Sequence, residues 1–335
     1  MDQVGRRRFV TALGATALAN SLVSLAQRTS KVPRIGILMF YAAETEAGRI
    51  RRRWVQESLT RLGYTVGTDV FIEWRHHEDR PERISKFVDE FVRLKLDVIV
   101  AWGSADTHAA ARATKTIPIV MLSYGGDPVK MGLAASLARP GGNVTGNQWF
   151  VDLTDLVVKR YEILRQAVPA AARIASMWTP WTPNPSDSFR IVDEINDRVR
   201  KGFGWVVTDF VVPSPEEVPA VLDRIAAFKP DALYVGYLAR LPEITTFAIQ
   251  QKLVTIGHSP SVAQEGGLLF YGPDSSHLVY RAMSFVDRIL RGAKPGNLPI
   301  EQPLKYQLIF NAKTARAIGY TLPPDLQLRV TQVIE

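Results

Sequence analysis

Residues 117–146 read IPIVMLSYGGDPVKMGLAASLARPGGNVTG, a short apolar run followed by a glycine loop. The run at 117–122 is bounded by turn-forming residues, as expected of a strand buried on both faces of a parallel sheet. The loop at 123–127 then lies at the carboxyl end of that strand, where open α/β sheets bind their ligands. We expect Pro128 to open a short helix and residues 138–146 to turn into the next strand. The alternative is an ordinary connecting loop that binds nothing.

Strand and helix patterns alternate on both sides of this segment, beginning at residue 34. Such alternation is typical of parallel sheets whose strands are joined by crossover helices. The predicted strands lie at 34–40, 69–74, 97–102 and 117–122, and again at 173–178, 205–212, 231–236 and 254–257. The predicted helices lie at 44–62, 81–94 and 105–115, and again at 153–167, 186–201, 215–228 and 242–252. Two similar α/β units in series predict two lobes that close as a clamp.

The C-terminal part adds a long predicted helix at about 274–291, with Asp274 as its N-cap and Gly292 as its stop. A proline-rich link then leads to a last predicted strand at 305–310, and Asn311 caps a short helix after it.

Two parts of the chain carry a resemblance to a known family. The first comprises DPV at 127–129 and SLARPGGNVTG at 136–146, and the second comprises FVDRILRGAKPGNLPIEQP at 285–303 and GYTLPPDL at 319–326. They resemble the periplasmic substrate-binding proteins of ABC transporters, in the family related to tryptophan- and tyrosine-binding proteins, and the resemblance extends from Pro33 onward. It implies a type I periplasmic binding protein-like fold with two Rossmann-like lobes and the ligand between them. The implied partners are an ABC permease and its ATPase in the inner membrane.

The lobes are expected to be discontinuous in sequence. We assign residues 31–146 plus about 274–304 to an N-terminal lobe, and residues 147–273 plus about 305–335 to a C-terminal lobe. Residues 143–149 are expected to cross between them, and the protein is expected to be a monomer.

Residues 1–26 have the layout of an export signal. Three arginines at 6–8 and Phe9 precede an uncharged run rich in alanine and leucine, which resembles a twin-arginine signal. Small residues at Ser24 and Ala26 predict cleavage after Ala26. The alternative is a membrane anchor, but Gly14 and Asn20 make the run weakly apolar for a membrane span. We therefore expect an exported protein of the periplasm.

The composition limits the classes of partner. The chain has no cysteine, which excludes lipid attachment through a lipobox and suits an oxidising compartment. Removing residues 1–26 takes away three arginines and one aspartate, so the net charge falls from +8 to +6. The basic residues are scattered and no nucleic-acid-binding signature accompanies them, so we expect no nucleic acid partner. The densest run, at Arg49 and 51–53, is interpreted as a solvated helix face.

Aromatic residues gather where predicted strands end, and we take them as candidate walls of a ligand site. They are Phe40, Tyr41, Trp102 and Tyr124 in the first lobe, Trp149 at the crossing, and Trp178, Trp181 and Tyr237 in the second lobe. Rings in these places suit a ligand with an aromatic or hydrophobic body. The alternative is that about half of them pack the hinge between the lobes.

The candidate polar contacts lie in the loops beside these rings. Gly103, Ser104 and Ala105 stand between a predicted strand and helix, so the Ser104 hydroxyl and the following N–H groups can receive a carboxylate. The resemblance implies ligand contact by the same loop. Ser123 and Asp127 flank the next loop, where Asp127 either accepts a hydrogen bond from an ammonium group of the ligand or caps the helix begun by Pro128. Thr179 is the last of the candidate polar contacts.

Two departures from the family pattern bear on the ligand. Thr179-Pro180-Trp181 stands where relatives carry an Asn-Pro turn, and residues 236–240 read GYLAR where amino-acid-binding relatives can carry an aspartate. Without that acid an α-ammonium loses its partner, and a buried unpaired charge is costly. We therefore favour an aromatic or otherwise hydrophobic carboxylate over tryptophan or tyrosine. Arg240 either pairs with the anion or is a solvated arginine at a helix start.

Other chemistries lack their motifs. His76 and His77 stand beside two acids, but adjacent strand residues point to opposite faces and do not converge on one metal ion. The sequence has neither a GxGxxG after its first strand nor a nucleophile elbow, so we expect no cofactor, no metal and no enzyme activity. The leading hypothesis is a periplasmic solute receptor for an ABC importer. A ligand-sensing partner of a membrane receptor on the same fold, or an aromatic amino acid as the ligand, are the alternatives.

Overall fold

The computed structural model describes residues 32–78, 80–149, 152–179, 185–236 and 240–335. Over these residues the chain forms two separate sheets flanked by helices, which confirms the predicted α/β class with two lobes. No helix in these ranges is long and apolar enough to cross a membrane. The predicted export signal lies outside the described residues.

The first sheet has five parallel strands in the order β2-β1-β3-β4-β5. The strands are β1 (Arg34–Met39), β2 (Phe71–His76), β3 (Val98–Ala101), β4 (Ile119–Tyr124) and β5 (Val144–Gln148). The connecting helices are α1 (Glu46–Arg61), α2 (Pro81–Arg93) and α3 (Ser104–Ala113). We call this sheet and the helices packed on it the first lobe.

The second sheet has seven strands in the order β12-β11-β10-β9-β8-β6-β7, and only β11 runs antiparallel to its neighbour β10. The strands are β6 (Arg173–Trp178), β7 (Val206–Val211), β8 (Ala232–Val235), β9 (Val254–Gly257), β10 (Leu269–Pro273), β11 (Tyr306–Asn311) and β12 (Gln332–Ile334). The helices of this half are α4 (Leu153–Ala167), α5 (Pro185–Phe203), α6 (Val218–Phe228), α7 (Leu241–Gln250), α8 (Pro260–Gln264), α9 (Ser275–Leu290), α10 (Ala312–Ile318) and α11 (Pro324–Gln327). We call this sheet and its helices the second lobe, except that α9 packs on the first.

Each sheet is buried on both faces, as the continuous apolar strands predict. In β1, Ile35 and Ile37 pack toward α1 and α9, whereas Leu38 packs toward α2 and α3. Alternate strand residues point to opposite faces, so one strand contributes to two apolar layers. The helices thereby hold the strand ends, and the loops after them, in fixed positions.

Among the described residues, β5 ends in the first lobe at Gln148 and α4 begins in the second lobe at Leu153, and the chain passes between the lobes again near residues 273–275 and 302–305. The boundary expected after Gly146 lies inside β5, because that strand continues along β4 as far as Gln148. Residue Glu301 returns to pair with Asn147 beside β5. The Asp274 side chain accepts hydrogen bonds from the Ser276 and His277 N–H groups and so caps α9, as predicted.

The segment after β4 differs from expectation. Residues 128–133 form consecutive hydrogen-bonded turns instead of a short helix. Asp127 Oδ1 accepts from Val129 N at 2.9 Å and from Lys130 N at 3.2 Å, so this side chain caps the turn.

Candidate functional site

The carboxyl ends of parallel strands from the two sheets meet at the junction of the lobes. Tyr41 follows β1, and Ser261 stands at the start of α8 behind β9. Their hydroxyl oxygens lie 3.4 Å apart, and Arg51 Nη2 lies 2.8 Å from the Tyr41 hydroxyl and 3.5 Å from Ser261 Oγ. These contacts join the end of β1 in the first lobe to the end of β9 in the second, and we call the region between the strand ends of the two lobes the cleft.

Phe40 and Tyr41 form a half-buried aromatic pair on the first-lobe side of this cleft. Their ring centroids are 4.0 Å apart, and the Arg51 guanidinium lies over the Tyr41 ring at 3.6 Å. The Tyr41 carbonyl is 2.6 Å from His76 Nδ1. The strand end therefore presents an apolar surface that is fixed from two sides.

A buried histidine and aspartate lie beside this aromatic pair. His77 Nε2 is 3.1 Å from Asp106 Oδ1, and Gly103 N donates to Asp106 Oδ2 at 3.3 Å. Burial raises the pKa of the Asp106 carboxyl above its ordinary value. His77 Nδ1 has no hydrogen-bond partner in the described part of the chain. The pair therefore places two buried polar groups near the ring of Phe40.

The loops after β3 and β4 are tied to each other by serines. Ser104 Oγ accepts from Gly125 N at 3.0 Å and donates to Gly125 O at 3.2 Å, while Ser123 Oγ donates to the Trp102 carbonyl. Ser104 is the first residue of α3, one residue before the predicted helix start at 105, and Ala105 beside it is exposed. The hydroxyl of Ser104 thus positions the glycine loop in this structure.

Trp102 and Tyr124, expected as walls of the site, are core side chains. Trp102 packs in the apolar layer of α1 and α9, and Tyr124 packs in the layer of α2 and α3 with its hydroxyl 2.9 Å from His108 Nε2. A bulge between Met121 and Tyr124 shifts the register of β4 against β5 and breaks the alternation of side chains. Tyr124 therefore shares the face of Met121 and not that of Leu122.

Trp149 packs at the hinge. It follows β5, donates its backbone N–H to the Tyr124 carbonyl at 2.8 Å, and contacts a small apolar cluster of the second lobe. That cluster consists of Ala263, Phe270 and Ile309. This placement corresponds to the hinge-packing alternative.

Trp178 ends β6 and is held by polar groups within the second lobe. Its Nε1 donates to Asp209 Oδ1 at 2.9 Å, and Asn196 Nδ2 donates to Asp209 Oδ2 at 2.6 Å. Burial raises the pKa of Asp209. Phe189 packs edge-on against the Trp178 ring at 5.1 Å. Thr179 follows half-buried, whereas Trp181 and Tyr237 lie outside the described residues.

The loop after β9 is held from inside the second lobe by Arg160. This buried side chain donates to the carbonyls of His258 and Tyr271 and to the Tyr234 hydroxyl, at 3.0, 2.7 and 3.2 Å. Burial, assisted by the charge of Arg160, lowers the pKa of His258 to about 4.

Sequence reasoning missed Arg51, Arg160, His77 and Asp106. The run at 49–53 is not a uniformly solvated face: Arg51 is buried, Arg52 is half-buried over Trp74, and only Arg49 and Arg53 are exposed. One sequence signal could have indicated that Arg51 is buried. It lies four positions before Val55, a buried residue of α1, and residues at this spacing share one helix face. Arg240 forms an ion pair with Glu243 at 2.6 Å, which corresponds to the solvated-arginine alternative.

A groove of about 670 Å³ opens beside the lobe junction. It is lined by residues of both lobes, including Trp54, Gln264 and Tyr306. None of the predicted contact residues that the structure describes lines it, so we distinguish this groove from the cleft between the strand ends.

Comparison with known proteins gives a consistent result. A family model described as "ABC transporter substrate binding protein" matches residues 35–334. The tyrosine-binding protein of Clostridioides difficile strain R20291 is 27% identical over 266 residues, covering 78% of this chain and 74% of that protein.

Two solved structures share the fold. The ABC domain in complex with L-Trp from Streptococcus pneumonia is 23% identical, with a TM-score of 0.75, and the match covers 91% of this chain and 100% of that one. The ligand-free, open structure of a substrate-binding protein with adhesive properties from Clostridium difficile is 24% identical, with a TM-score of 0.65 and coverage of 90% and 99%.

Proposed function

The chain belongs to the family of ABC transporter substrate-binding proteins, and from this premise we propose that it is the periplasmic receptor of an ABC importer. It binds a small organic ligand between its lobes and presents the closed form to the permease and ATPase. Closure follows from binding because the ligand touches both lobes only in the closed state.

The observation that carries this proposal is the contact between strand ends of the two lobes. Tyr41 behind β1 and Ser261 behind β9 lie within 3.4 Å of each other, so a ligand beside them is reached from both sheets. Open α/β sheets bind ligands at this edge. Phe40, Tyr41 and the residues 103–105 are the proposed contacts in the first lobe, and Trp178, Thr179, Trp181 and Tyr237 those in the second.

We propose an aromatic or otherwise hydrophobic carboxylate as the ligand. The support is the aromatic pair at the end of β1 and the sequence GYLAR at 236–240, which offers no acid for an ammonium group. Two of the similar proteins are named for tyrosine or contain L-Trp, so an aromatic amino acid is the second candidate.

The export signal, the oligomeric state, the compartment and the lobe bounds are proposed from the same family membership. Residues 1–26 serve as the export signal, with cleavage after Ala26, and the mature protein acts as a monomer in the periplasm without catalysing a reaction. The first lobe comprises residues up to about 148 plus about 274–304, and the second lobe comprises the remainder. A sensing role beside a membrane receptor is the alternative, and genes for a permease and an ATPase next to this gene would favour transport.

A thermal-shift screen of the mature protein tests the proposal. The panel contains aromatic amino acids, aromatic acids, branched-chain acids and the corresponding amides. A ligand at a hundredfold excess over its dissociation constant adds about 2.7 kcal/mol to the free energy of unfolding. Stabilisation by the acids supports the proposed class, stabilisation by amino acids alone replaces it with the second candidate, and catalytic turnover of any compound refutes a receptor.

A further inference from the structure

Arg51 is a buried cation without a counter-ion in the described part of the chain. Its side chain is 2% exposed, and no carboxylate of that part lies within ion-pair distance of it. Removing a guanidinium from water is unfavourable unless an opposite charge and hydrogen bonds compensate it. In agreement, burial lowers the pKa of Arg51.

The hydrogen bonds of Arg51 leave part of its donor capacity unused. Nη1 donates to the Ala47 carbonyl at 2.9 Å, and Nη2 donates to the Tyr41 hydroxyl at 2.8 Å and, weakly, to Ser261 Oγ at 3.5 Å. Nε has no acceptor among the described residues. A guanidinium has five N–H donors in a planar fork, and this fork matches the two oxygens of a carboxylate.

Arg160 provides an internal comparison. It is equally buried and has no carboxylate within ion-pair distance among the described residues either, but its three nitrogens each donate to an oxygen of the second lobe at 2.7 to 3.2 Å. Arg160 is thus satisfied within one lobe. Arg51 differs because it depends on a long contact to the other lobe.

The position of Arg51 coincides with the proposed ligand site. Its guanidinium carbon lies over the Tyr41 ring, which belongs to the aromatic pair at the end of β1, and its Nη2 approaches Ser261 of the other lobe. The ring lies next to the guanidinium carbon, whereas a carboxylate accepts from N–H groups, and the Nε and one Nη1 N–H group of Arg51 have no acceptor among the described residues, so the two contacts are compatible. An anion with an aromatic body therefore finds its ring partner and its charge partner side by side.

We infer that Arg51 binds the carboxylate of the ligand and makes the receptor selective for anions. This inference rests on the proposed function and adds the residue that decides the ligand class. The ligand supplies the missing counter-charge when the lobes close, and a neutral analogue of the same shape leaves the charge unpaired.

Matched pairs of acid and amide test the inference by calorimetric titration. The probes are benzoate with benzamide, phenylacetate with phenylacetamide, and isovalerate with isovaleramide. They are titrated into the wild type and into Arg51→Met, Arg51→Lys and the control Arg53→Met, which changes an exposed arginine of the same helix. We expect the acid that binds the wild type to lose roughly 10- to 100-fold in affinity in Arg51→Met, as for a lost charge-assisted hydrogen bond. Arg51→Lys should lose less and Arg53→Met nothing.

The other possible results overturn either the role of Arg51 alone or the proposed function as well. If Arg51→Met binds the acid as the wild type does, or weakens acid and amide equally, Arg51 does not recognise the anion and the inference is overturned while the receptor function stands. Selective binding of neutral compounds in the broader screen has the same meaning, and so does binding of an amino acid whose affinity is equal in the wild type and in Arg51→Met. If no compound binds the wild type in either assay, the proposed function fails and the inference falls with it. The thermal midpoints of the unliganded variants distinguish a folding defect from a loss of affinity. If Arg51→Met does not fold, the affinity of Arg51→Lys for the acid and its amide is compared with that of the wild type instead.

Discussion

Single residues hold the loop after β9 from two sides. Arg160 bonds to the His258 carbonyl from within the second lobe, and Arg51 reaches Ser261 from the first. The same loop therefore has one end held within the second lobe, and at its other end Ser261 is contacted both by Ser259 of its own lobe and across the cleft. A substitution of Arg160 or Arg51 should therefore change the position of the loop after β9 as well as the local packing.

His258 in this loop should make stability depend on pH. Its pKa falls from 6.5 to about 4 on folding, chiefly through burial. Between these values the unfolded chain binds more protons than the folded one, so stability is complete above pH 6.5 and is lost as the pH falls toward 4. We expect His258 to account for a loss of about 2 kcal/mol in the free energy of unfolding between pH 7 and pH 5.

Urea denaturation of the wild type and His258→Gln at both pH values checks this. The variant should lose correspondingly less stability on acidification, because the remaining titrating groups are shared by both proteins. Equal losses in the two proteins would show that His258 is not held in its neutral form.

Residue types alone did not distinguish the buried arginine from the solvated ones. Arg51 and Arg53 stand two positions apart in one basic run, and only the orientation of α1 against the sheet separates them. Tyr124 illustrates the same limit: its position at a strand end was predictable, but the bulge that turns its ring to the face of α2 and α3 depends on the pairing of β4 with β5.

At the scale of elements, β5 requires a glycine at its centre. Gly146 has φ +122°, and a Cβ atom there would lie 2.1 Å from the Met121 carbonyl oxygen of the neighbouring strand. Its own carbonyl accepts from Glu301 N at 2.8 Å, so the strand cannot move aside freely. This conformation explains why glycine stands at position 146 in the middle of β5.

Gly146→Ala should therefore destabilise the protein by about 3 kcal/mol or more, since it combines backbone strain with a clash between strands. Chemical denaturation measures the change. Gly142→Ala is the matched control, because a Cβ at Gly142 meets nothing within 4 Å, and its effect should stay within about 0.5 kcal/mol. Comparable losses in both variants would contradict the role given to Gly146.

Most strands and helices were predictable because their periodicity is clear. Buried parallel strands are continuous apolar runs, and their crossover helices carry apolar residues every three or four positions. The exception after β4 has a local cause: Asp127 and Pro128 start hydrogen-bonded turns that satisfy the same N–H groups as a helix would. Sequence pattern does not separate these outcomes over so few residues.

At the scale of the molecule, three passages of the chain join the lobes while their strand ends face each other. Such a connection allows hinge motion, and the ligand then sets the balance between open and closed forms. The two lobes could be foreseen from the repeated α/β pattern. The groups that meet across the cleft could not, because Tyr41 and Ser261 are brought together by the tertiary fold alone.

Small-angle X-ray scattering of the mature protein, with and without a ligand identified by titration, tests the central claim of closure on a ligand most directly. We expect a saturating ligand to reduce the radius of gyration, and its weakly binding amide analogue at the same concentration to leave it unchanged. If the radius of gyration is the same with the ligand at full occupancy as without ligand, the lobes do not close on binding. That result would contradict a receptor that closes its lobes around its ligand.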